Sequence, residues 1–180
     1  MSDKMCSATH CSGISQQINN TCKKNNWQVG HLVMICDPNT GECCDCTCSC
    51  AAYGTPVATP NGDKAIQTIA IGSQVMAANT AFEWTATDVN FSDGTGPDGQ
   101  QPEMLYINYG DDNRVIIVTL DHTFLTPDGT LIRANRLMRG DALVAADGSQ
   151  VQITDVSVRA YSGGVWNIAT AIGQKKSTVV

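Results

Sequence analysis

The chain has 180 residues, with 17 acidic and 11 basic side chains and a formal charge of −6. That length suits one domain, or one domain with a small appendage. The acidic balance supplies no basic surface to neutralise phosphates, which excludes nucleic acid and acidic membranes as favoured partners, and no apolar run approaches the ~20 residues of a transmembrane helix.

The start, Met1-Ser2-Asp3-Lys4-Met5-Cys6, lacks the basic residues and apolar stretch of a secretory leader. The expectation is a chain made in the cytosol, with leaderless export left open. All nine cysteines lie at or before Cys50, and none follows it. This break divides the chain into a cysteine-rich segment, 1–49, and a second unit, 50–180. Besides Cys50 the cysteines are Cys6, Cys11, Cys22, Cys36, Cys43, Cys44, Cys46 and Cys48. They suit four disulfides or two four-thiolate metal sites equally well. Without a leader, reduced, metal-binding or reactive thiols are favoured over stapling disulfides.

Cys11, Ile14, Ile18 and Cys22 share one face at helical spacing, which predicts a short helix over 12–25 with Trp27 packing after it. Asp37-Pro38-Asn39-Thr40-Gly41 is a turn signal that separates Cys36 from the dense run beginning at Cys43. Zinc is the candidate ion there, with Cys36, Cys43, Cys44, Cys46 and Cys48 as candidate ligands. A zinc site usually draws on Cys-x-x-Cys pairs, and this run does not supply the two that a four-thiolate site would need.

After Cys50 the pattern becomes short β segments broken by Gly, Pro, Asn and Asp, which predicts an all-β domain. Phe124-Leu125-Thr126-Pro127-Asp128-Gly129 repeats Val57-Ala58-Thr59-Pro60-Asn61-Gly62, and the run from Gly140 to Ala146 repeats that from Gly72 to Ala78. A single insertion aligns both matches, so an internal duplication is the simplest account. Two copies that cannot bury their apolar faces alone would pack about a pseudo-twofold axis. Between them, residues 92–102 carry no apolar side chain and are expected to form a mobile loop. Strands are predicted over 104–109, 114–119, 151–162 and 165–170.

A lone thiol opening a cysteine-free β domain is a candidate nucleophile toward the preceding peptide bond, Ser49–Cys50. It could equally be the last ligand or disulfide partner of the cluster, and spacing alone does not decide. Of three histidines, His10 and His31 lie in the cysteine-rich segment, and His122 alone lies in the second unit. It closes the sequence Thr119-Leu120-Asp121-His122 after an apolar strand.

Taken in order, these residues resemble the Hint superfamily, the hedgehog and intein autoprocessing domains that include bacterial intein-like proteins. The matching positions are Cys50, Val57, Thr59 and Gly62; Gly72 and Val75; Thr119-x-x-His122; Leu137, Gly140-Asp141 and Leu143; and Val165-Trp166-Asn167-Ile168. The resemblance runs from Cys50 to the chain end and implies a Hint fold with pseudo-twofold duplication. It implies an N-to-S acyl shift, in which Cys50 attacks the Ser49 carbonyl and forms a thioester. His122 would give a proton to the departing amine, a role worth about 10²–10⁴ in rate. Thr119 would hydrogen-bond around the scissile peptide, worth roughly 10²–10³. No cofactor is required. The substrate is the chain's own segment 1–49, and water or an external amine, thiol or alcohol is the acyl acceptor.

Asp121 reads as a solvated turn residue, with orientation of the His122 imidazole as the alternative, and Asp141 as a side chain that satisfies turn backbone. Splicing inteins end in Asn followed by Cys, Ser or Thr, whereas this chain stops at Ser177-Thr178-Val179-Val180, about where the family's last strands begin. Asn167 stands where the family often has aspartate and reads as a strand residue. The expectation is therefore cleavage or acyl transfer at Ser49–Cys50 without complete splicing, and without room for the sterol-recognition region of the hedgehog branch. The alternative is a catalytically silent Hint-like scaffold that displays a metal- or disulfide-bound cysteine module. Cys48 and Cys46 are candidate regulatory residues, because a bond to the Cys50 sulfur would stop its attack.

Overall fold

The computed structural model describes the backbone of residues 32–36, 43–47, 50–79, 83–145, 147–170 and 176–178, with side chains for 50–78, 83–145 and 147–170. The helix expected over 12–25 lies outside these residues. β1 (Leu32–Cys36) and β2 (Cys43–Thr47) pair antiparallel with each other. From Cys50 onward the chain runs through two series of elements of the same kind. The first is β3 (Ala51–Ala52), β4 (Pro56–Val57), β5 (Lys64–Ala65), a 3-10 turn at Ile66–Thr68, β6 (Gln74–Asn79), β7 (Trp84–Gly94) and β8 (Gln100–Tyr109). The second is β9 (Arg114–Val118), β10 (Thr123–Leu125), β11 (Leu131–Arg133), a 3-10 turn at Ala134–Arg136, β12 (Ala142–Val144), β13 (Gln150–Ser162) and β14 (Val165–Thr170), with β15 (Lys176–Thr178) after it. The predicted strands at 114–119, 151–162 and 165–170 become β9, β13 and β14, and β8 contains 104–109.

Main-chain hydrogen bonds at the duplicated Gly72 and Gly140 turns repeat in both copies. Gly72 N–H donates to the Val89 carbonyl and Val89 N–H to that of Ser73, each at 2.8 Å; Gly140 bonds to Ile153 at 2.9 Å and Ile153 to Asp141 at 2.8 Å. Side chains follow the same rule. The Ser73 hydroxyl accepts from Ala70 N–H at 3.2 Å, and the Asp141 carboxylate accepts from Met138 N–H at 2.8 Å. Asp141 thus satisfies turn backbone, as expected of it.

The main sheet has nine strands in the order β12-β13-β8-β9-β3-β14-β7-β6-β15. Without β15 the order is symmetric about the β9–β3 pair, with β8 opposite β14, β13 opposite β7 and β12 opposite β6. Each copy gives its last strand to the other: β8 pairs with β9 and β13, while β14 pairs with β3 and β7. The exchange buries one continuous core through both copies, including Val57, Val75, Val89, Ile107, Val118 and Ile153. Neither copy could bury its apolar face alone. No described helix is long and apolar enough to cross a membrane.

The structure corrects one expectation. Residues 92–102 are the ends of β7 and β8 and the turn that joins them, rather than a mobile loop. Their lack of apolar side chains is offset by main-chain bonds: Thr95 N–H donates to the Val165 carbonyl at 2.9 Å and Gly163 N–H to that of Gly99 at 2.8 Å. The Thr95 hydroxyl accepts from Val165 N–H at 3.0 Å, and its carbonyl accepts from the Tyr53 hydroxyl at 2.6 Å. Hydrogen bonding here does what hydrophobic patterning cannot signal.

Tyr53 is thereby locked between this turn, Trp166 in edge-to-face contact at 5.9 Å, and the backbone of Gly164. A Cβ on Gly164 would lie 2.5 Å from the Tyr53 ring. Gly164→Ala should therefore destabilise the domain by about 1–3 kcal/mol through overpacking, and the same change in a Tyr53→Ala background should cost much less. Urea denaturation of the four chains measures the difference, and equal costs in both backgrounds would refute the clash.

Candidate functional site

β3 and β9 meet through a single residue pair, Ala51 opposite Val118. These two residues are each other's counterparts in the duplication, so the pseudo-twofold axis passes between them. Antiparallel pairing then sets the residue before Ala51 against the residue after Val118, which brings Cys50 to Thr119. The contact is double: Thr119 N–H donates to the Cys50 carbonyl at 2.9 Å, and Cys50 N–H donates to Thr119 Oγ1 at 3.0 Å. The second bond engages the nitrogen of the Ser49–Cys50 peptide itself.

His122 reaches the same place through a tight turn. Its N–H donates to the Thr119 carbonyl at 3.1 Å, and its own carbonyl accepts from Ala134 N–H at 2.7 Å. In the first copy, Thr55 N–H donates to the Ala52 carbonyl at 3.2 Å, and Ile66 N–H to the Thr55 carbonyl at 2.9 Å. His122 is thus the counterpart of Thr55, and Thr119 that of Ala52. The fold builds the frame twice and places Thr119 and His122 only on the second copy.

Cys50 and Thr119 are shielded from water, and His122 is half-buried. Thr119 is fully buried and Cys50 is 8% exposed. Met104 and Val165 share a buried cluster with Cys50, and Tyr106, Ile117 and Tyr161 pack against it. The His122 ring lies 5.1 Å from that of Phe124. Loss of hydration penalises the imidazolium, and a hydrogen bond with the main chain of Cys50 offsets this only in part. The His122 pKa is lowered to about 4, so the ring is neutral near pH 7.

Of the residues expected in the site, Cys50, Thr119 and His122 come together. Ser49 and Cys48 lie outside the described residues. Cys36, Cys43, Cys44 and Cys46 lie on β1 and β2, described as backbone only, with Cys36 opposite Cys43 in register. Among the described side chains no three or more His, Cys, Asp or Glu converge to hold a metal.

One reading is corrected. Asp121 is not a solvated turn residue: it is 7% exposed, with its carboxylate 3.3 Å from Arg133 Nη1. Arg133, at the end of β11, carried no signal in the sequence. Its pairing depends on how the β10–β11 hairpin folds back onto the 119–122 turn. Tyr53 and Thr95, which with Val165 fix the chain around Cys50, were equally unmarked, being ordinary strand and turn residues.

The sequence model of the family described as the pretoxin Hint domain matches residues 56–172. Among solved structures the chain is similar to a bacterial intein-like domain from Clostridium thermocellum, with 23% identity and a TM-score of 0.61, covering 72% of this chain and 98% of that one. It is similar to a DnaB intein from Synechocystis sp. PCC 6803, with 16% identity over 68% of this chain and 87% of that one, TM-score 0.53. The gp41-1 intein matches at 18% identity over 68% and 88%, TM-score 0.52. No curated protein matches the chain.

The half-buried, neutral imidazole makes stability depend on pH. In the unfolded chain His122 binds a proton near its ordinary value of 6.5, and in the folded chain only near 4. Between those values the unfolded state holds more protons, so stability falls as pH drops from about 6.5 toward 4, by up to about 3 kcal/mol from this group. His122→Gln should flatten that part of the curve, as urea denaturation at a series of pH values would show. A slope unchanged by the substitution would mean that another group titrates.

Proposed function

The chain belongs to the pretoxin Hint domain family, and on that premise we propose that it is an autoprocessing domain that breaks its own Ser49–Cys50 peptide bond. Segment 1–49 is then the acyl donor and 50–180 the processing unit. The observation that carries this reading is the 3.0 Å hydrogen bond from Cys50 N–H to Thr119 Oγ1. The matched residues include Thr119 and His122, and Cys50 stands just before them.

In the proposed reaction the Cys50 sulfur attacks the Ser49 carbonyl carbon through a five-membered ring. A carbon–sulfur bond forms, the carbon–nitrogen bond breaks, and the thiol proton ends on the departing amine. Neutral His122 takes that proton and returns it to nitrogen, acting first as base and then as acid. Thr119 holds the N–H on one side, so that as the nitrogen becomes pyramidal its lone pair turns to the other. Cys50 shares a buried cluster with Met104 and Val165, against which Ile117 packs, and separated charge is costly in such surroundings. A base that moves the proton as the bond forms avoids that cost. Attack on the thioester by water would release segment 1–49 as an acid; attack by an amine, thiol or alcohol would transfer it. The family's description names pretoxins, and in this reading the domain would process such a precursor.

The purified chain should split slowly at Ser49–Cys50, faster with hydroxylamine or a strong thiol, as read by intact mass over days. Cys50→Ala should abolish cleavage. His122→Ala should slow it by about 10²–10⁴, and Thr119→Ala by roughly 10²–10³. An unchanged parent mass under both reagents would sink the proposal and leave a silent scaffold.

The latch at Cys48 and Cys46 belongs to the same proposal. A disulfide or shared zinc ion on the Cys50 sulfur would withhold the nucleophile. Oxidised glutathione or zinc should slow cleavage reversibly, and Cys48→Ser should abolish the effect of the oxidant while keeping activity. An identical oxidant response in Cys48→Ser and the parent would exclude Cys48 and turn attention to Cys46.

A further inference from the structure

The duplication provides an internal control for every residue around the site. Under the alignment that makes Thr55 the counterpart of His122, Asp121 corresponds to Gly54, and the 3-10 turns place Ala65 opposite Arg133. The first copy closes its turn with Gly54 at φ +82° and makes the same two main-chain bonds without an ion pair. The frame therefore does not require Asp121 or Arg133. Among the described residues Asn113 is the only non-glycine at positive φ, so Asp121 holds its turn in a different conformation from Gly54.

The surroundings show what maintains that difference. Asp121 is buried between Thr119 and His122 in the chain, and its Oδ1 is 3.3 Å from Arg133 Nη1, whose side chain is half in solvent. Main-chain bonds draw the same hairpin end onto the turn: Ala134 N–H to the His122 carbonyl at 2.7 Å and Asn135 N–H to the Leu120 carbonyl at 2.9 Å. Arg133 lies opposite Thr123, the residue after His122. A buried carboxylate needs a partner, and the partner here stands on the element that also grips His122.

We propose that Asp121 and Arg133 form a positioning pair, present only in the second copy, that holds the 119–122 turn so that Thr119 and His122 bear together on the Cys50 amide. The proposal rests on the processing reaction for its role and on the ion pair for its structure, and the test reads the two separately. The variants are Asp121→Ala, Asp121→Asn, Arg133→Ala, Arg133→Lys and the double alanine change, in the full chain. Cleavage with hydroxylamine is timed by intact mass. Hydrogen exchange of the residue 50 and His122 amides is measured on the same variants in a Cys50→Ala background, where cleavage cannot intervene.

Each single alanine variant should slow cleavage roughly tenfold to a hundredfold, the scale of a small misplacement of reacting groups. Each should also speed exchange at residue 50. The double variant should lose no more than the worse single one, because the pair acts as a unit. Arg133→Lys should recover most of the rate, since the contact is through one nitrogen, and Asp121→Asn should fall between alanine and parent. Exchange and cleavage unchanged in both alanine variants would overturn the proposal, and so would losses that multiply in the double variant. If the parent does not cleave, the processing reading fails, and exchange at residue 50 still decides whether the pair holds the turn.

Discussion

The Ala51–Val118 pair is the constraint on which the site depends. β3 has only two residues, and a strand that short does not hold its register by itself. Its place is set by its neighbours, because β14 on one side and β9 on the other belong to long ladders that run to β7 and β8. The exchange of β8 and β14 between copies is what puts those ladders side by side. Cys50 meets Thr119 only because the two copies are clasped in this way.

The same clasp sets the electrostatics. Partial enclosure of His122 strips hydration from the ring and keeps it neutral, which costs the folded chain stability in acid and, in the proposed reaction, leaves a base ready at neutral pH. A protonated imidazole would suit only the second half of the proposed reaction, the gift of a proton to nitrogen. A neutral one serves both halves, provided the proton it delivers is the one it has just taken from sulfur. The family resemblance by itself implied a proton donor; in the proposed reaction the neutral ring is a shuttle.

Asymmetry laid over symmetry is the other feature of the site. The backbone bonds of the two turns agree closely, yet Ala52, Gly54 and Thr55 stand in one copy where Thr119, Asp121 and His122 stand in the other. Thr55 turns its hydroxyl back onto the Ala52 carbonyl at 2.6 Å, which closes the turn on itself. His122 has no such option with its ring and reaches toward the main chain of Cys50 instead. A frame that folds equally well with inert residues leaves the second copy free to carry polar groups chosen for chemistry.

Much of this was legible in the residues. Short β segments broken by repeated turn signals predicted an all-β domain, and the Gly62/Gly129 and Gly72/Gly140 matches announced the duplication, because a turn that needs glycine marks its place in any copy. Cys50, Thr119 and His122 stood out by residue type and order. What the sequence could not contain was long-range pairing. The β7–β8 turn looked mobile because its order comes from backbone bonds to Gly163 and Val165, which leave no hydrophobic trace. Asp121 looked solvated because its burial and its partner Arg133 depend on how one hairpin folds over another turn. Local chemistry fixes what a residue can do, and that is written in its identity; which groups meet depends on strand exchange between distant segments, and only the tertiary structure decides it.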